Sequence, residues 1–384
     1  MTPAAPAARP PEGEFFDDIA RLEPAALRCL EGLAYEHGRY FDSYLATEPG
    51  RGCFFSPQRH GAISFARLGR YVKVIGGLLC PPGHRDELLD QFMAQIRARG
   101  LHVAFYNIDD SETHLFRQRG FAVAPWCADA AIPLTGPLWS GGSFEWVRRQ
   151  IHYCNRHGVE FVELTRGAFP PDRRRALLLE ALALDRALLA TKPQRRPMRT
   201  LTGTFDPHNL HRRRIFLALA DRGSGRLEGF VACNPGRAGA FWAIEIYRHR
   251  PDAVRGVVPF LIAKALLRLQ ADGAKAASLC PVPGYGLDRF PTRFPWLNRR
   301  AIDLFSVLLD VRGLYHFKSR FRPEFVPLSY CVYPRMTLGS ALAFLRLWGL
   351  TDISITRTCR IVLARCFRRE RRAHLADFES HRHS

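Results

Sequence analysis

The sequence predicts an α/β (α+β) protein of two similar halves, each with a mixed sheet flanked by helices. In the first half, AISFARLGRYVKVIGGLL (62–79) alternates apolar and polar residues as paired strands do. PPGHRDELLDQFMAQIRARG (81–100) then has helical periodicity and ends at a glycine, and LHVAFYNI (101–108) is typical of a buried strand. With 47% apolar residues among 384, the chain can bury the core that such sheets need.

The second half repeats this order. RLEGFVACNPGRAGAFWAIEIYRH (226–249) predicts a strand, a turn and a strand. RGVVPFLIAKALLRLQADG (255–273) predicts a helix, and AKAASLCPV (274–282) predicts the next strand. Strand–strand–loop–helix–strand is the central unit of the acyltransferase fold of the GNAT type. Two copies in one chain therefore predict a tandem GNAT-like acyltransferase fold with two mixed sheets flanked by helices.

A basic amphipathic helix is predicted between the halves, in SFEWVRRQIHYCNRHGVEF (143–161). Trp146, Ile151 and Cys154 are expected to face inward. The outward arginines form either a binding surface or an ordinary solvated face. These outward residues are Arg148, Arg149 and Arg156.

The C-terminal stretch differs in character from both halves. TLGSALAFLRLWGL (337–350) has apolar residues at helical spacing, and RIVLARCFRRERR (360–372) follows it. Such a pair either lies in a membrane interface, with arginines on anionic headgroups, or packs back on the protein. The residues at helical spacing are Leu338, Leu342, Leu345 and Trp348.

These patterns divide the chain into five parts. We expect a disordered N-terminal tail over 1–13, a first GNAT-like domain over 14–142, a connecting basic helix over 143–165, a second, catalytic GNAT-like domain over 166–335, and an amphipathic, basic C-terminal segment over 336–384.

The charge balance points to anionic partners. Lys and Arg total 56 against 36 Asp and Glu, a net charge of +20. Such a field favours nucleic acid or an anionic membrane surface, although a GC-rich genome also inflates arginine. The ten cysteines form no C-x-x-C pair and no zinc-type cluster, so we expect reduced thiols, no bound metal and a cytoplasmic protein. The N-terminus lacks a signal peptide's apolar core, and no apolar run is long enough to span a membrane.

The loop before the second-half helix is the first candidate site. A helix N-terminus after a glycine-bearing loop is a common place to hold phosphates. An acetyl-CoA cradle needs Q/R-x-x-G-x-G/A, whereas RPDAVRGVV (250–258) has one glycine, a proline and an acid. PPGHRDE (81–87) in the first half is no closer to the motif. Simple acetylation from CoA is therefore disfavoured, and we expect no cofactor.

Several segments resemble the catalytic domain of the phosphatidylglycerol lysyltransferases, or aminoacyl-phosphatidylglycerol synthases, which include the bacterial multiple peptide resistance factors. The resemblance extends over about residues 35–335 and is most specific in the second half. The matching segments are EIYRHRPDAVRG, ASLCPVP and GLYHFKSRFRPEF in the second half, and GRYVKVIGGLLCPP, AFYNI and FEWVRRQIHYCNRHGVEF in the first.

This resemblance implies an enzyme that moves an amino acid from aminoacyl-tRNA to the hydroxyl of a phosphatidylglycerol-type lipid. Aminoacyl-tRNA would be the donor substrate, and the partners would be that tRNA and an anionic phospholipid surface. Such a reaction lowers the negative charge of the headgroup, which is a basis of antimicrobial peptide resistance. Without the membrane flippase region of typical members, we expect a cytoplasmic protein that binds the inner face of the cytoplasmic membrane peripherally.

The resemblance also nominates site residues. The family's D-x-x-R falls on Glu245 and Arg248, with Glu in place of Asp, and its lysine falls on Lys318. The acid would orient or deprotonate the lipid hydroxyl, and the arginine would hold the acid or a phosphate. Without the resemblance, a strand-end ion pair explains the first two. We expect substrate binding by Tyr247, Arg250, Asp252, Arg255, Gly256 and Arg320.

Lys318 and Arg320 alternate with phenylalanines in FKSRF, which predicts an exposed face of an extended segment opposite the core. Phosphate would be their partner there, with surface solubility as the alternative. Arg250 and Asp252 could instead shape the loop. Three other functions stay open: acyl-CoA-dependent N-acylation, aminoacylation of a peptidoglycan-type amine, and non-catalytic binding of tRNA or anionic membrane.

Overall fold

In the computed structural model, twelve strands of the described residues form one continuous mixed sheet. The sheet order is β1-β2-β3-β4-β5-β12-β6-β11-β10-β9-β8-β7. The strands are β1 Glu14–Phe16, β2 Gly52–Phe55, β3 Ala62–Leu68, β4 Tyr71–Leu79, β5 His102–Asp109, β6 Ala122–Pro133, β7 Val159–Glu163, β8 Arg214–Ala220, β9 Leu227–Gly236, β10 Phe241–His249, β11 Ala276–Pro283 and β12 Glu324–Tyr333. The structure describes residues 13–165, 169–191, 200, 203–220, 225–285 and 310–351.

Helices cover both faces of the sheet. Val72 and Val74 pack under α2, whereas their neighbours Lys73 and Ile75 point to the opposite face, as the two-residue period of a strand requires. α6 shares the face of α2, and α1, α5 and α8 cover the other. The helices are α1 Pro24–His37, α2 Arg85–Ala98, α3 Thr113–Arg117, α4 Glu145–Arg156, α5 Pro171–Thr191, α6 Val257–Ala271, α7 Val311–Ser319 and α8 Leu338–Leu347.

The two halves exchange their last strands. β12, from the second half, pairs with β5 of the first half, and β6, from the first half, pairs with β11 of the second. β6 and β12 also pair with each other, from Glu324–Ala131 to Val332–Ala122. The predicted fold class is correct, but the prediction of two sheets is wrong. Hydrogen bonds between the exchanged strands β6 and β12 join the two expected sheets into a single sheet.

The internal repeat is visible in the strand pairing. β4 pairs with β5 in parallel over Tyr71–Lys73 only, and β10 pairs with β11 over Phe241–Ala243 only. In both halves the parallel pairing stops after three residues, so the two strands part in the middle of the sheet. The first half turns away at Gly76, whose φ of +80° suits glycine and whose Cβ would lie 2.5 Å from the Ser43 Cα.

The predicted connecting helix is α4, with Val147 and Cys154 buried and Arg148, Arg149 and Arg156 exposed, in agreement with its amphipathic pattern. The basic segment 360–372 lies outside the described residues. Among the helices of the described residues, none has the length and apolarity needed to cross a bilayer.

The strand exchange predicts that neither half folds alone. Residues 13–142 without β12 would leave the long edge of β5 unpaired, and residues 143–351 would lack β6 between β11 and β12. Each half expressed separately should be insoluble or lack a cooperative thermal transition by circular dichroism, whereas the co-expressed halves should copurify. A cooperative transition in either isolated half would contradict this expectation.

Candidate active site

Glu245 occupies a β-bulge on β10. Ile244 pairs with Cys233 and Ile246 pairs with Ala232, so Glu245 is an extra residue opposite β9. The bulge reverses the alternation of the strand: Ile244 packs toward α6, whereas Ile246 packs toward α5 on the other face. The carboxylate is thereby placed among polar side chains beside the point where β10 and β11 part.

Two donors hold this carboxylate. The backbone N–H of Gly203 donates to Glu245 Oε1, and the Asn234 side-chain amide donates to Oε2. Arg213 orients that amide through a 2.8 Å bond from Nε to Asn234 Oδ1 and lies 3.2 Å from the Glu48 carboxylate. The site therefore holds two carboxylates close to one buried guanidinium.

Burial raises the pKa of Glu245 to about 8, and the nearby charge of Glu48 adds to the increase. Arg213 and the Gly203 N–H oppose it, because both favour the ionised form. A carboxyl with this pKa is largely protonated at neutral pH and changes its charge just above it. This behaviour is typical of a group that exchanges protons.

Arg248 pairs with Asp185 of α5 and, within the described residues, forms no hydrogen bond with Glu245; its Nε donates to Asp185 Oδ1 at 2.6 Å. Its Nη1 donates to the carbonyl of Tyr247 at 3.0 Å. Asp185 is buried, so this ion pair fixes β10 to α5 beside the bulge. Arg248 thus forms an ion pair at the end of the strand, as the sequence predicts, but its partner is Asp185 and not Glu245.

Lys318 lies near the end of α7 and is 3% exposed, so the predicted extended segment with an exposed lysine is wrong. Phe317 and Lys318 share this helix, which packs on β11, and Phe321 follows it in a turn. Lys318 Nζ donates to the carbonyls of Cys280 and Pro281 at 2.8 and 3.0 Å. Burial lowers its pKa to about 8. It therefore fixes β11 where the strand leaves β10, and its catalytic role stays a prediction.

Cys280 of β11 contacts β10 just beyond the point where the two strands part. Its φ of +66° breaks the regular strand, and its thiol donates to the carbonyl of Ile244 at 3.4 Å. Burial, with the charge of Glu245 next, raises its pKa well above that of a free thiol. A protonated thiol is a poor nucleophile, so Cys280 serves packing and backbone geometry. Tyr247 stands nearby, with its ring 5.7 Å from that of Phe317.

The loop after β10 is held by ion pairs. Asp252 pairs with Arg226 at 3.0 Å and with Arg250 at 3.3 Å. Glu228 accepts from Arg226 at 2.7 Å and from the Val254 N–H at 3.1 Å. Arg250 and Asp252 thus have the loop-shaping arrangement that was the alternative to substrate binding.

Helix α4 lies against the N-terminus of α6. A Cβ on Gly256 would come within 2.3 Å of Gln150 Oε1, and the Cys154 thiol donates to the Arg255 carbonyl at 3.7 Å. The side chain of Arg255 is exposed. Arg320 is exposed too, with its guanidinium 5.4 Å from the Trp146 ring of α4. These two arginines are therefore surface groups next to the basic helix.

Four site residues were missed in the sequence. Glu48 and Asp185 lie far from the recognised motifs in the chain, whereas Arg213 and Asn234 are polar residues in or beside strongly apolar strands, which is a usable signal. Glu48, Arg213 and Asn234 line a small pocket together with Glu245, whereas Asp185 pairs with Arg248. Its walls are Glu48, Thr204, Phe205, Asp206, Leu210, Arg213, Ile215, Ala232, Asn234, Glu245 and Ile246. Within the described ranges, no three His, Cys, Asp or Glu side chains are grouped as metal ligands.

The family model for the C-terminal part of phosphatidylglycerol lysyltransferase matches residues 31–333. The chain belongs to this family. The resemblance inferred from the sequence is thus confirmed, and the family carries the name of an aminoacyltransferase, the enzyme class that was predicted.

Relatives of the family share the fold at low identity. The phosphatidylglycerol lysyltransferase of Bacillus subtilis is 22% identical over 308 residues, which are 79% of this chain and 34% of that protein. The chain thus matches about a third of that relative's length. The L-PGS structure from Bacillus licheniformis has a TM-score of 0.68 at 18% identity, covering 85% of this chain and 97% of that one. The C-terminal domain of a putative lysylphosphatidylglycerol synthetase from Agrobacterium fabrum has a TM-score of 0.66 at 19% identity, covering 84% and 95%.

The raised pKa of Glu245 makes a prediction about stability. The folded protein holds this proton up to about pH 8, whereas the unfolded chain releases it near 4.5, so the free energy of unfolding falls as pH rises between these values. Glu245→Gln removes the cost of ionising the buried carboxyl. We expect its Tm to exceed that of the wild type by about 2–4 °C at pH 8.5 and to match it at pH 4.5.

Differential scanning calorimetry at the two pH values measures this difference. Glu160→Gln, at an exposed position of β7, is the matched control and should leave Tm unchanged at both. A Glu245→Gln variant that is less stable than the wild type at pH 8.5 would show that the ionised carboxylate stabilises the fold.

Proposed function

We propose that this protein transfers an aminoacyl group, lysyl in the first instance, from aminoacyl-tRNA to the free hydroxyl of phosphatidylglycerol. The observation that carries the proposal is Glu245, a carboxyl with a pKa of about 8 held on a β-bulge where two strands part. Membership of the lysyltransferase family supports the acyl group and the acceptor. The wide excess of positive charge suits both polyanionic substrates.

The reaction is a transesterification. The lipid hydroxyl gives its proton to the ionised Glu245 while its oxygen bonds to the carbonyl carbon of the aminoacyl ester. The bond from that carbon to the tRNA ribose oxygen then breaks, and this oxygen takes the proton from Glu245, which frees the ribose hydroxyl and restores the carboxylate. Because the ester is already activated, a positioned base and a fixed geometry supply the main catalytic needs.

Neighbouring groups position the base. The Asn234 amide and the Gly203 N–H donate hydrogen bonds to the two oxygens of Glu245 and so fix the direction of its carboxylate. Arg248 and Lys318 act through the backbone, since the first ties β10 to α5 and the second ties β11 to α7. Both are positioning residues in this proposal, and they hold the two strands apart.

The small pocket beside Glu245 is lined by Phe205, Leu210 and Ile246 and by the charged side chains of Asp206 and Arg213. Because it carries both signs of charge, it does not select the amino acid. The choice of lysine rests on the name of the family.

The geometry at α6 favours tRNA over CoA as the donor. In acyl-CoA enzymes of this fold, the diphosphate needs free backbone N–H groups at the helix N-terminus. Here Gln150 of α4 lies against Gly256 at that position. The exposed arginines of α4, with Arg255 and Arg320 next to it, suit a larger polyanion outside the sheet.

A transfer assay tests the proposal. The purified chain is incubated with phosphatidylglycerol vesicles and tRNA charged with labelled lysine, and the label is followed into the organic phase with and without RNase. We expect RNase-sensitive label in the lipid, reduced by roughly 10²–10⁴ in Glu245→Gln and unchanged in Glu160→Gln. Label transferred from lysyl-CoA instead, or wild-type rates in Glu245→Gln, would overturn it.

The rate should also depend on pH. Since Glu245 must be ionised to accept the proton, the initial rate should rise about tenfold per unit below pH 8 and level off above it. Spontaneous ester hydrolysis, measured without enzyme at each pH, is subtracted. A profile that is flat between pH 6.5 and 9 would exclude Glu245 as the base.

A further inference from the structure

Helix α8 carries an apolar face that the described part of the chain leaves uncovered. Leu338 is 86% exposed, Leu342 is 61% exposed and the preceding Met336 is 38% exposed. The two leucines stand one turn apart, and Arg346 continues the same stripe after another turn. Large apolar side chains that are exposed to this degree and lie side by side are unusual on the surface of a soluble protein.

The opposite face of α8 fixes the helix firmly. Phe344 and Trp348 pack on Tyr106 of β5, with ring centroids 6.1 and 4.9 Å apart. Thr337 and Ser340 form a reciprocal capping box at the helix N-terminus. The leucines are therefore presented by an anchored helix and not by a loose end.

Positive charge surrounds the leucines. Residues 334–351 contain Arg335 and Arg346 and no acid, and both arginines are exposed. Two further exposed arginines stand near the start of α8. Arg97 donates to the Tyr333 hydroxyl at 3.4 Å, and Arg70 lies over the ring of Tyr71, whose hydroxyl approaches Gly339 of the helix.

We propose that this face of α8 docks on the surface of an anionic phospholipid bilayer. Leu338, Leu342 and Met336 enter the boundary between headgroups and acyl chains, and the surrounding arginines bind lipid phosphates. Three apolar side chains are too few for the roughly 800 Å² per partner that a stable protein interface buries. The proposal rests on the proposed function in one respect: a lipid acceptor gives a reason to hold the protein at the membrane.

Vesicle sedimentation tests the docking surface without any tRNA. The full chain is mixed with phosphatidylcholine vesicles that contain either none or about a third phosphatidylglycerol. We expect wild-type binding to the anionic vesicles only, reduced at least fivefold by Leu338→Ser with Leu342→Ser. Arg335→Ala with Arg346→Ala should weaken binding at low salt and have little effect at high salt.

Matched controls separate docking from folding and from catalysis. Leu179→Ser changes another leucine, 57% exposed on α5, and should bind as the wild type does. Glu245→Gln should also bind normally. With short-chain phosphatidylglycerol dissolved below its micelle concentration, the double leucine variant should transfer lysine at the wild-type rate. If the proposed function is wrong, every variant and the wild type will lack transfer, while vesicle binding stays intact.

Equal binding of the double leucine variant and the wild type would overturn the proposal. So would light scattering that finds a wild-type dimer which the same substitutions dissociate, because the face would then join two copies of the chain.

Discussion

The exchange of β6 and β12 is the constraint on which the rest of the structure depends. Each half contributes one strand to the middle of the sheet, so the antiparallel ladders β5–β12, β12–β6 and β6–β11 join the first half to the second. The parting of β10 from β11 is possible because β11 keeps a full partner in β6 on its other side. A strand whose backbone groups are hydrogen-bonded along one edge stays in the sheet even when it separates from the strand on its other edge.

Within that frame the site is a balance between burial and charge. Glu245, Glu48 and Arg213 lie together. Because the two carboxyls are buried and share one guanidinium, ionising both costs free energy. The bulge on β10 creates this arrangement. In a regular strand Ile244 and Ile246 would face the same side of the sheet, whereas here they face opposite sides and Glu245 is the extra residue between them. One inserted residue thus places an acid that the fold would otherwise avoid.

Local patterns predicted most of the elements, but their partners could not be predicted in the same way. Strand and helix periodicity located both halves because each half repeats the same local order, whereas the single sheet depends on β12 choosing β5, a pairing between segments far apart in the chain. FKSRF alternates like a strand, yet residues 317–319 end α7 and the next two form a turn. Phe317 and Phe321 stand four residues apart and both pack on the core beside α6. Glu245 was found through its motif. Glu48, Arg213 and Asn234 were not, since they reach it from separate parts of the chain.

The strand exchange also has a consequence for synthesis on the ribosome. β5 ends at Asp109, but its neighbour β12 begins only at Glu324, so the first half emerges with an open edge and waits for most of the remaining chain. At about 5–20 residues per second, that wait lasts on the order of 10–40 s. During this time the apolar strand is a target for other nascent chains. The first half therefore exposes an unpaired strand edge during synthesis, although the finished sheet pairs β5 on both sides.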